Sequence, residues 1–539
     1  MTLRCMAEQE RADAPVVLAS VNGKLKELGT PGEFDRAVDS VQFITTAQKI
    51  GMDVYRRSLV MLMLYAFTQV QKQEGGSSLH VIIEHSIGDA YYFHFRRGER
   101  MAEGMLGKVK EQMEAAVKAD IPIEKLTLPT DEAIRYFASA DMKEKARLFR
   151  YRMASTVNLY SMNGYRDYFY GYMVPSAGVL KWFDLMPYDE GFVLQFPSVK
   201  DPVHVSALED QPKLFQAIKE TRQLNEKLSL LTVADLNDHI TAGDMNRMIL
   251  VQEALQEQKI VEIVQKIREK KTVKFVLVAG PSSSGKTTFA NRLAIQLAAY
   301  GYHAHIISVD NYYVDREFTP RDKSGDYDYE AIEAVDLALF NTQLQDMLSG
   351  KAVKMPRYDF KAGHKVFDQP PVQMGPGDIL VIEGIHCLND RLTFAIPREV
   401  KFKIYISALT QLNVDSHNRV STADGRLVRR MVRDFRTRAT PAVGTLSRWA
   451  SVRRGEEKNI FPYQESADVV FNSAMAYELS VLKSYAQPML FSVPEESPVY
   501  PEAKRMLKFL DYFLPCRADF VPNNSLLREF IGGGCFAVD

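Results

Sequence analysis

Apolar and polar positions in the first 200 residues alternate in short runs, which predict a mixed α and β structure. The runs HVIIEH and AYYFHF, separated by the turn signal Gly88-Asp89, predict two neighbouring strands. Helices are expected where apolar residues recur at helical spacing or form a continuous buried run: 57–67, 101–119 and 131–137. Residues 16–45 and 157–199, which are rich in turn residues, predict short strands with turns.

The pattern changes twice in the rest of the chain. Residues 205–272 are charged and helical in spacing, which predicts a helical connector, and from Lys274 onward strands alternate with helices. The buried strands predicted there are KFVLVAG, HAHIISVD, DILVIEG and KFKIYIS. This alternation is typical of an α/β fold with a parallel sheet flanked by helices. The predicted divisions of the chain are 1–50, 51–204, 205–272, 273–490 and 491–539.

Composition adds the broad class. A chain of 539 residues with 46% hydrophobic and 25% charged residues is an ordinary globular protein. Its length suggests about three or four domains. With 67 basic and 68 acidic side chains, the net charge of −1 argues against a general nucleic-acid coat protein but leaves a local basic groove open.

Cysteine usage and the N-terminal residues predict a cytoplasmic protein. The four cysteines are scattered and form no CxxC pair, so we expect neither a disulfide framework nor a zinc knuckle: Cys5, Cys387, Cys516 and Cys535. The polar, acidic first residues do not predict a signal peptide. The longest apolar stretch, 59–67, is far shorter than the roughly 20 residues that span a bilayer, so no membrane partner is expected.

A phosphate-binding loop follows the strand KFVLVAG. The residues Gly280-Pro281-Ser282-Ser283-Ser284-Gly285-Lys286-Thr287 match the P-loop pattern, in which backbone N–H groups and a helix N-terminus hold phosphates. Lys286 is expected to reach the β- and γ-phosphates, and the Thr287 hydroxyl to bind Mg²⁺. A chance match has odds of roughly a few per hundred, and the flanking strand and helix lower them further.

Two carboxylates end neighbouring predicted strands. Asp310 follows HAHIISV and could orient an acceptor hydroxyl and take its proton, as a kinase requires. Glu383 ends DILVIE and could hold Mg²⁺ directly or through water. The alternatives are a turn or N-cap aspartate and a surface glutamate at a strand end.

Arginines concentrate in 419–454, which holds ten of them and no lysine. Five recur at helical spacing: Arg426, Arg429, Arg430, Arg433 and Arg436. Guanidinium forks suit phosphoryl oxygens, so we expect a mobile lid that closes over ATP. A solvated helix face or an RNA-binding patch is the alternative, and only Trp449 lies nearby as an aromatic partner.

These motifs, in this order over about 274–485, resemble the uridine kinase and phosphoribulokinase family of P-loop kinases. The resemblance rests on GPSSSGKTT, SVDNYY, DYDYEAIEAVD, PRYDFKAGHK, VIEGIH, GRLVRRMVRD and ADVVFNS. It implies ATP and Mg²⁺ as cofactors and Asp310, Lys286 and Arg429 as catalytic residues. It also implies the following ATP-binding residues: Gly280, Ser282, Ser283, Ser284, Gly285, Lys286, Thr287, Thr288, Arg429 and Arg433.

The resemblance also implies an acceptor site. Its residues would be Tyr313, Tyr329, Glu330, Tyr358, His364 and Arg426, with Glu330 replacing a ribose-binding aspartate. The chain departs from the family at Gly363, where uridine kinases carry a pyrimidine-reading histidine. Lys365 stands where an arginine is usual. This departure leaves the acceptor open.

Residues 16–200 resemble the N-terminal part of threonyl-tRNA synthetase, namely a truncated TGS segment and the second additional, editing domain. The four editing-site positions hold Arg57, Met61, Phe169 and Met173, which cannot replace zinc-binding or proton-shuttling His and Cys. The resemblance therefore implies a module without hydrolytic activity. The histidines His80, His85 and His94 are expected to be packed or surface residues.

The sequence thus predicts an ATP- and Mg²⁺-dependent kinase that phosphorylates a hydroxyl of a nucleoside-like small molecule, most simply of the uridine or cytidine type. An ATP-binding regulatory protein linked to RNA or tRNA, and a kinase for a sugar or sugar phosphate, are the alternatives. RNA or tRNA contact by the first half, dimerisation through it and homo-oligomer formation are left open.

Overall fold

The computed structural model describes residues 1–35, 38–75, 79–321, 325, 327–410 and 412–537. Asp326, which opens the motif DYDYEAIEAVD, lies outside them. The chain divides into two units. Unit 1 comprises Met1–Asp210, Thr232–Ala234 and Asn413–Arg419; unit 2 comprises Gln211–Leu231, Asp235–Leu412 and Val420–Asp539. The finer five-part division expected from the sequence stays a prediction.

Over its described residues, unit 1 is an α+β structure with three antiparallel sheets and a short two-stranded hairpin. Its helices are α1 (Leu3–Glu8), α2 (Lys49–Glu74), α3 (Met105–Lys118), α4 (Thr130–Ser139) and α5 (Lys143–Phe149). Its first strands are β1 (Val16–Val21), β2 (Lys24–Glu27), β3 (Val41–Thr45), β4 (Val81–Ile87) and β5 (Ala90–Phe95). The next are β6 (Glu124–Pro129), β7 (Thr156–Met162), β8 (Tyr165–Asp167), β9 (Asp184–Tyr188) and β10 (Gly191–Gln195). The strand orders are β2-β1-β3, β4-β5-β10-β9 and β6-β7-β8.

Helix α2 forms the core of unit 1 and is longer than the predicted 57–67. Its central residues are almost completely buried, because they pack against the apolar faces of the sheets and α3. The helix ends at Gly75, which adopts a left-handed conformation with φ 65° and donates its N–H to the Gln71 carbonyl. The two strands and the two helices predicted between residues 80 and 140 are confirmed.

Unit 2 contains the following helices: α6 (Pro212–Lys227), α7 (Val233–Ala242, whose first two residues belong to unit 1), α8 (Met245–Glu269), α9 (Lys286–Ala299), α10 (Leu337–Leu348), α11 (Thr422–Arg438), α12 (Ala442–Asn459), α13 (Glu478–Phe491), α14 (Tyr500–Leu510) and α15 (Arg528–Ile531). Its strands are β11 (Phe275–Ala279), β12 (His303–Ser308), β13 (Arg357–Asp359), β14 (His364–Val366), β15 (Asp378–Glu383), β16 (Lys401–Ser407) and β19 (Val469–Asn472). The intervening hairpin, β17 (Asn413–Asp415) and β18 (Asn418–Arg419), belongs to unit 1.

The main sheet of unit 2 has the strand order β12-β15-β11-β16-β19, and every neighbouring pair is parallel. The central strands β11 and β16 are buried along their whole length, as expected for a sheet covered on both faces. This confirms the predicted parallel α/β fold. Strands β11, β12 and β15 run in the same direction, so Gly280, Val309 and Glu383 lie together at the carboxyl ends of these strands. Ligands bind at this end of the sheet in open α/β folds.

In the part of the chain that the structure describes, every helix is too short or too polar to cross a membrane. The helices expected in 205–272 are present as α6, α7 and α8. Helix α8 packs within unit 2, where Gln256 donates its side-chain N–H groups to the Asn472 and Ala474 carbonyls at 3.1 and 3.2 Å.

Candidate functional site

The loop between β11 and α9 has the tight backbone that a phosphate site needs. A Cβ on Gly280 would lie 2.0 Å from the Ile406 carbonyl oxygen, so only glycine fits between the two strands. Gly285 caps α9 in a left-handed conformation with φ 86°, and Ser283 is also left-handed at φ 60°. These conformations turn the loop so that the first amides of α9 point toward the space where a phosphate group would bind.

The polar groups of this loop are arranged for an anion. Lys286 folds back and donates from Nζ to the Gly280 carbonyl at 3.1 Å and to the Pro281 carbonyl at 3.4 Å. Among the described residues, the buried hydroxyls of Ser283, Ser284 and Thr288 have no hydrogen-bond partner. Buried hydroxyls are normally paired, so these three groups fit a site that phosphate oxygens complete.

Two carboxylates already accept from amides of this loop. Glu456 on α12 accepts the Ser282 N–H at 3.0 Å, and Glu529 on α15 accepts the Thr288 N–H at 3.2 Å. Sequence reasoning missed both residues because they lie about 170 and 240 positions away along the chain. No local pattern around either glutamate indicates this contact.

Helix α11 carries the arginine cluster but differs from the expected mobile lid. Arg426 and Arg429 are 1% and 0% exposed, since they form buried ion pairs with Glu456 and Glu478. Arg426 also donates to the Ser282 carbonyl at 3.0 Å. Both guanidinium groups therefore contact the P-loop from the protein interior. Their predicted phosphate contacts stay predictions.

The outer turns of α11 carry the remaining arginines. Arg430 donates to the Ser282 hydroxyl at 2.7 Å, and Arg433 pairs with the adjacent Asp434 at 2.9 Å. Arg436 donates to the Glu529 and Phe530 carbonyls at 2.9 and 3.2 Å. Burial lowers the pKa of Arg438, while the nearby carboxylates of Asp434 and Asp310 act in the opposite direction. Arg430 and Arg438 thus face the loop and the Asp310 region.

Asp310 lies in the 3₁₀ turn Val309–Tyr312 that directly follows β12, so it is placed at the carboxyl end of the sheet, beside the P-loop. Burial raises the pKa of its carboxyl, whereas Lys286 and the hydroxyl of Tyr313 act to lower it. A half-buried carboxylate with a raised pKa, close to the P-loop lysine, can accept a proton from a bound hydroxyl.

Glu383 ends β15 and is 8% exposed. Burial raises the pKa of its carboxyl to about 7; Lys286 opposes this rise, and Asp310 adds to it. A buried carboxylate beside the phosphate loop, together with the Thr287 hydroxyl, fits the oxygen ligands that Mg²⁺ takes from a protein in a phosphoryl-transfer site. These two residues could therefore hold the metal.

Aromatic rings predicted for the acceptor site cluster next to Asp310. The Tyr313 ring lies 5.7 Å from Tyr329 and 5.8 Å from Tyr358, measured between centroids. Tyr358 in turn contacts Phe360 at 5.1 Å, and its buried hydroxyl has no partner among the described residues. Burial, and then the charge of Glu456, raise the pKa of Glu330 to about 7. The structure thus brings Tyr313, Tyr329 and Tyr358 together.

The hairpin β13–β14 carries the residues that depart from the family pattern. Gly363 has φ 80°, and a Cβ there would lie 3.0 Å from three atoms of Arg316. His364 is exposed at the start of β14, while Lys365 donates to Asp336 at 2.8 Å. The predicted acceptor contact of His364 stays a prediction.

The four residues of unit 1 that the sequence compares with an editing site are held by packing contacts. Met61, Phe169 and Met173 are at most 3% exposed and belong to the hydrophobic core. Arg57 donates to the Tyr172 carbonyl at 2.8 Å, and its guanidinium would lie 2.5 to 2.8 Å from a Cβ on Gly171. His80 pairs with Glu99 and Asp141 at 2.6 and 2.9 Å. These contacts leave a packed interior at those positions.

A glycine-rich loop between β11 and α9, with carboxylates at the ends of two neighbouring parallel strands, defines a nucleotide-binding P-loop protein of the kinase type. The family model described as "Phosphoribulokinase / Uridine kinase family" matches residues 275–480. A uridine kinase of Halobacterium salinarum is 30% identical over 194 residues, which are 36% of this chain and 77% of that relative. The chain belongs to this family through its unit 2 residues.

Two further proteins are similar over 37% and 40% of the chain. A uridine kinase of Staphylococcus aureus is 28% identical over 201 residues, 37% of this chain and 87% of that protein. The solved structure of a possible uridine kinase from Bacillus stearothermophilus is 19% identical, with a TM-score of 0.27, and the match covers 40% of this chain and 98% of that one.

Proposed function

We propose that this protein is an ATP- and Mg²⁺-dependent kinase that transfers the γ-phosphoryl group to a hydroxyl of a nucleoside-like small molecule. The observation that carries this proposal is the placement of Asp310 beside Lys286 of the P-loop and beside the Tyr313 hydroxyl. A protein that used ATP only as a switch would have no need for a carboxylate and an aromatic cluster at that position.

The P-loop amides and Lys286 would bind the donor phosphates, and Thr287 and Glu383 would hold Mg²⁺, which neutralises phosphate charge when bound. The buried hydroxyls of Ser283, Ser284 and Thr288 support this assignment, because they offer donors without a partner in the described residues. Arg429 and Arg433 stay proposed phosphate contacts. Arg430 and Arg438 are the arginines that this geometry supports for the transferring group.

Asp310 would act as the general base on the acceptor hydroxyl. Its carboxylate takes the hydroxyl proton as the oxygen attacks phosphorus, and the Tyr313 hydrogen bond holds the carboxylate in place. The raised pKa of Asp310 favours proton uptake in the transition state.

The rings of Tyr313, Tyr329 and Tyr358 support an acceptor with a planar base, and Glu330 would contact its ribose. Arg426 and His364 stay the other proposed acceptor residues. A sugar or sugar phosphate is the second candidate acceptor, because Gly363 leaves no side chain where the family reads a pyrimidine.

Unit 1 would be a synthetase-derived module that has lost hydrolysis, since Met61, Phe169 and Met173 pack into its core. Contact with RNA or tRNA and a role in homo-oligomer formation belong to this proposal. A cytoplasmic location agrees with the four free cysteines.

The test is a screen of the full chain for ATP consumption and product mass with nucleosides, sugars and sugar phosphates. We expect Asp310→Asn to lower kcat roughly 10²- to 10⁴-fold with unchanged ATP affinity, and Asp346→Asn, at an exposed ion pair, to behave as the unaltered protein. Absence of turnover with every small acceptor, together with tight tRNA binding, would contradict the proposal.

A further inference from the structure

Two histidines and one aspartate lie close together near the amino ends of strands β12 and β15, at the opposite end of the main sheet from the P-loop. His303 and His305 are two residues apart on the edge strand β12, so their side chains point to the same face. Asp378 opens β15, and the strand register pairs it with His303. All three residues belong to unit 2.

Their ligand atoms have nearly the spacing of a metal site. His305 Nε2 lies 3.0 Å and His303 Nδ1 lies 3.6 Å from the same Asp378 oxygen, and the three ligand atoms fall within 4.8 Å of one another. Metal–ligand bonds of about 2.0–2.2 Å place ligand atoms roughly 3–3.5 Å apart. The widest pair needs only a small ring rotation, and His303, whose side chain is 72% exposed, has room for it.

The carboxylate is held in a fixed orientation. Asp378 accepts the Gly375 N–H at 3.0 Å, and this backbone contact is the largest of the effects that lower the pKa of the carboxyl, followed by hydrogen bonds from His305 and His303. Backbone support of this kind orients metal ligands in protein sites. The backbone N–H of Gly375 therefore holds the aspartate carboxylate toward the two histidines.

We propose that His303, His305 and Asp378 bind a divalent transition-metal ion that favours imidazole ligands, with Zn²⁺ as the reference ion. Two imidazoles and one carboxylate on one face leave further coordination positions open to solvent. The site lies five strand residues, roughly 16 Å, from the carboxyl end of the sheet that carries the P-loop. It is therefore distinct from the proposed Mg²⁺ site. A bound ion would link the outer strand β12 to its neighbour β15.

The test is isothermal titration of the full chain, with reduced cysteines, against Zn²⁺. We expect one site, a loss of at least about tenfold in affinity in His305→Ala and Asp378→Asn, and no change in His204→Ala, an exposed His–Asp pair without a second histidine. Co²⁺ should give an absorption spectrum without thiolate charge transfer. Equal affinity in all variants, or loss of binding only in Cys5→Ser or Cys535→Ser, would overturn the proposal.

A different observation concerns the C-terminal segment 525–531, which lies on the nucleotide loop. Glu529 accepts the Thr288 N–H at 3.2 Å, and Leu526 reaches within 3.4 Å of the point where Gly285 would carry a Cβ. The glutamate is 5% exposed. The first turn of α9, where an anion is expected, is therefore occupied by a carboxylate from the same chain.

Contacts from α11 hold this segment in place. Arg436 donates to the Glu529 and Phe530 carbonyls, and the Arg429 guanidinium lies 5.0 Å from the centre of the Phe530 ring. The segment is thus bound by the helix that also supports the P-loop through Arg426.

We infer that Glu529 is an internal competitor of the nucleotide phosphates, and that 525–531 must withdraw from α9 before ATP can accept the Thr288 N–H. This inference rests on the proposed function. It makes the C-terminal segment a regulatory element, since anything that holds or releases the segment changes ATP affinity.

The test measures binding of a non-hydrolysable ATP analogue rather than turnover, so that it is independent of the acceptor. We expect Glu529→Ala to lower the Kd roughly tenfold, because a charge-assisted hydrogen bond no longer has to be broken, and Glu502→Ala on α14 to leave it unchanged. The analogue should also increase amide exchange in 525–531. Equal Kd values in both variants and unchanged exchange would overturn the inference, whereas failure of every variant to bind the analogue would contradict the proposed ATP site itself.

Discussion

Gly363 stands at the position of the proposed acceptor site where the sequence comparison expects a histidine, and its surroundings require a glycine. Its φ of 80° favours glycine, and Arg316 fills the space that a side chain would enter. The backbone conformation and Arg316 therefore leave no room for a histidine side chain at this position.

We expect Gly363→Ala to lower the free energy of unfolding by more than the roughly 1–2 kcal/mol that a left-handed alanine costs, because the Arg316 contact adds to it. Gly350→Ala is the matched control, since Gly350 has the same φ of 80° and nothing within 4 Å. Chemical denaturation of both variants measures the difference. Equal losses would show that Arg316 moves aside freely.

Glu383 gives the site a pH dependence with a definite sign. Because burial raises its pKa to about 7, the carboxyl is mostly protonated below that pH and must lose a proton to bind Mg²⁺. We expect Mg²⁺ affinity to fall about tenfold from pH 8 to pH 6, measured by titration calorimetry. Glu383→Gln should bind Mg²⁺ weakly and without this pH dependence; an unchanged pH profile in that variant would remove Glu383 from the metal site.

The same raised pKa affects folding in the absence of metal. The folded protein binds the Glu383 proton more tightly than the unfolded chain, so the contribution to stability is present below the ordinary glutamate pKa and is lost as the pH rises through 7. Added Mg²⁺ should therefore stabilise unit 2 most above pH 7.

Helix α11 has the helical spacing of arginines predicted from the sequence, but two of these arginines are buried. The helical spacing of its arginines is confirmed, yet Arg426 and Arg429 are buried and paired with Glu456 on α12 and Glu478 on α13. A sequence pattern reports which side chains share a helix face, but the partner that covers this face comes from distant positions.

We expect Arg429→Met to lower the free energy of unfolding by about 3–5 kcal/mol, because it leaves Glu478 buried without its partner. The double variant Arg429→Met with Glu478→Met should recover much of this loss. Arg454→Met, at an exposed position of α12, is the control. Unchanged stability in Arg429→Met would show that the buried ion pair with Glu478 is not needed for folding.

Strands β11 and β15 and the P-loop could be predicted because an apolar run ends at a glycine in Phe275–Ala279 followed by Gly280, and at a carboxylate in Asp378–Glu383. The contacts of Glu456 and Glu529 with the loop amides could not be predicted, because each depends on the tertiary placement of a helix remote in sequence. Helix α2 is longer than the predicted 57–67 at both ends, and its last residues, 71–74, are polar and follow no apolar pattern.

The chain leaves unit 2 after Leu412, contributes Asn413–Arg419 to unit 1 and returns to unit 2 at Val420. This hairpin completes a buried charged cluster. Lys145 pairs with Asp167 and lies 3.6 Å from Asp415, while His417 contacts Asp167 at 2.5 Å. Burial acts to raise the pKa of Asp167, but Lys145 and His417 hold it below its ordinary value.

We expect Lys145→Met to lower the free energy of unfolding of unit 1 by about 3–5 kcal/mol, because two carboxylates lose a fully buried partner. Lys143→Met, at an exposed ion pair with Asp141, should cost less than about 1 kcal/mol. Denaturant titration with probes in each unit measures both effects. A loss below 1 kcal/mol in Lys145→Met would mean that water enters the cluster freely.

The discontinuous path of unit 1 also has a consequence for synthesis on the ribosome. The hairpin Asn413–Arg419 is made about 180 residues after Thr232–Ala234, a delay of roughly 10–40 s at common elongation rates. During that interval Lys145 and Asp167 have neither Asp415 nor His417, so nascent unit 1 cannot reach its final core. Its maturation is tied in time to the appearance of the kinase segment that surrounds the hairpin in the sequence.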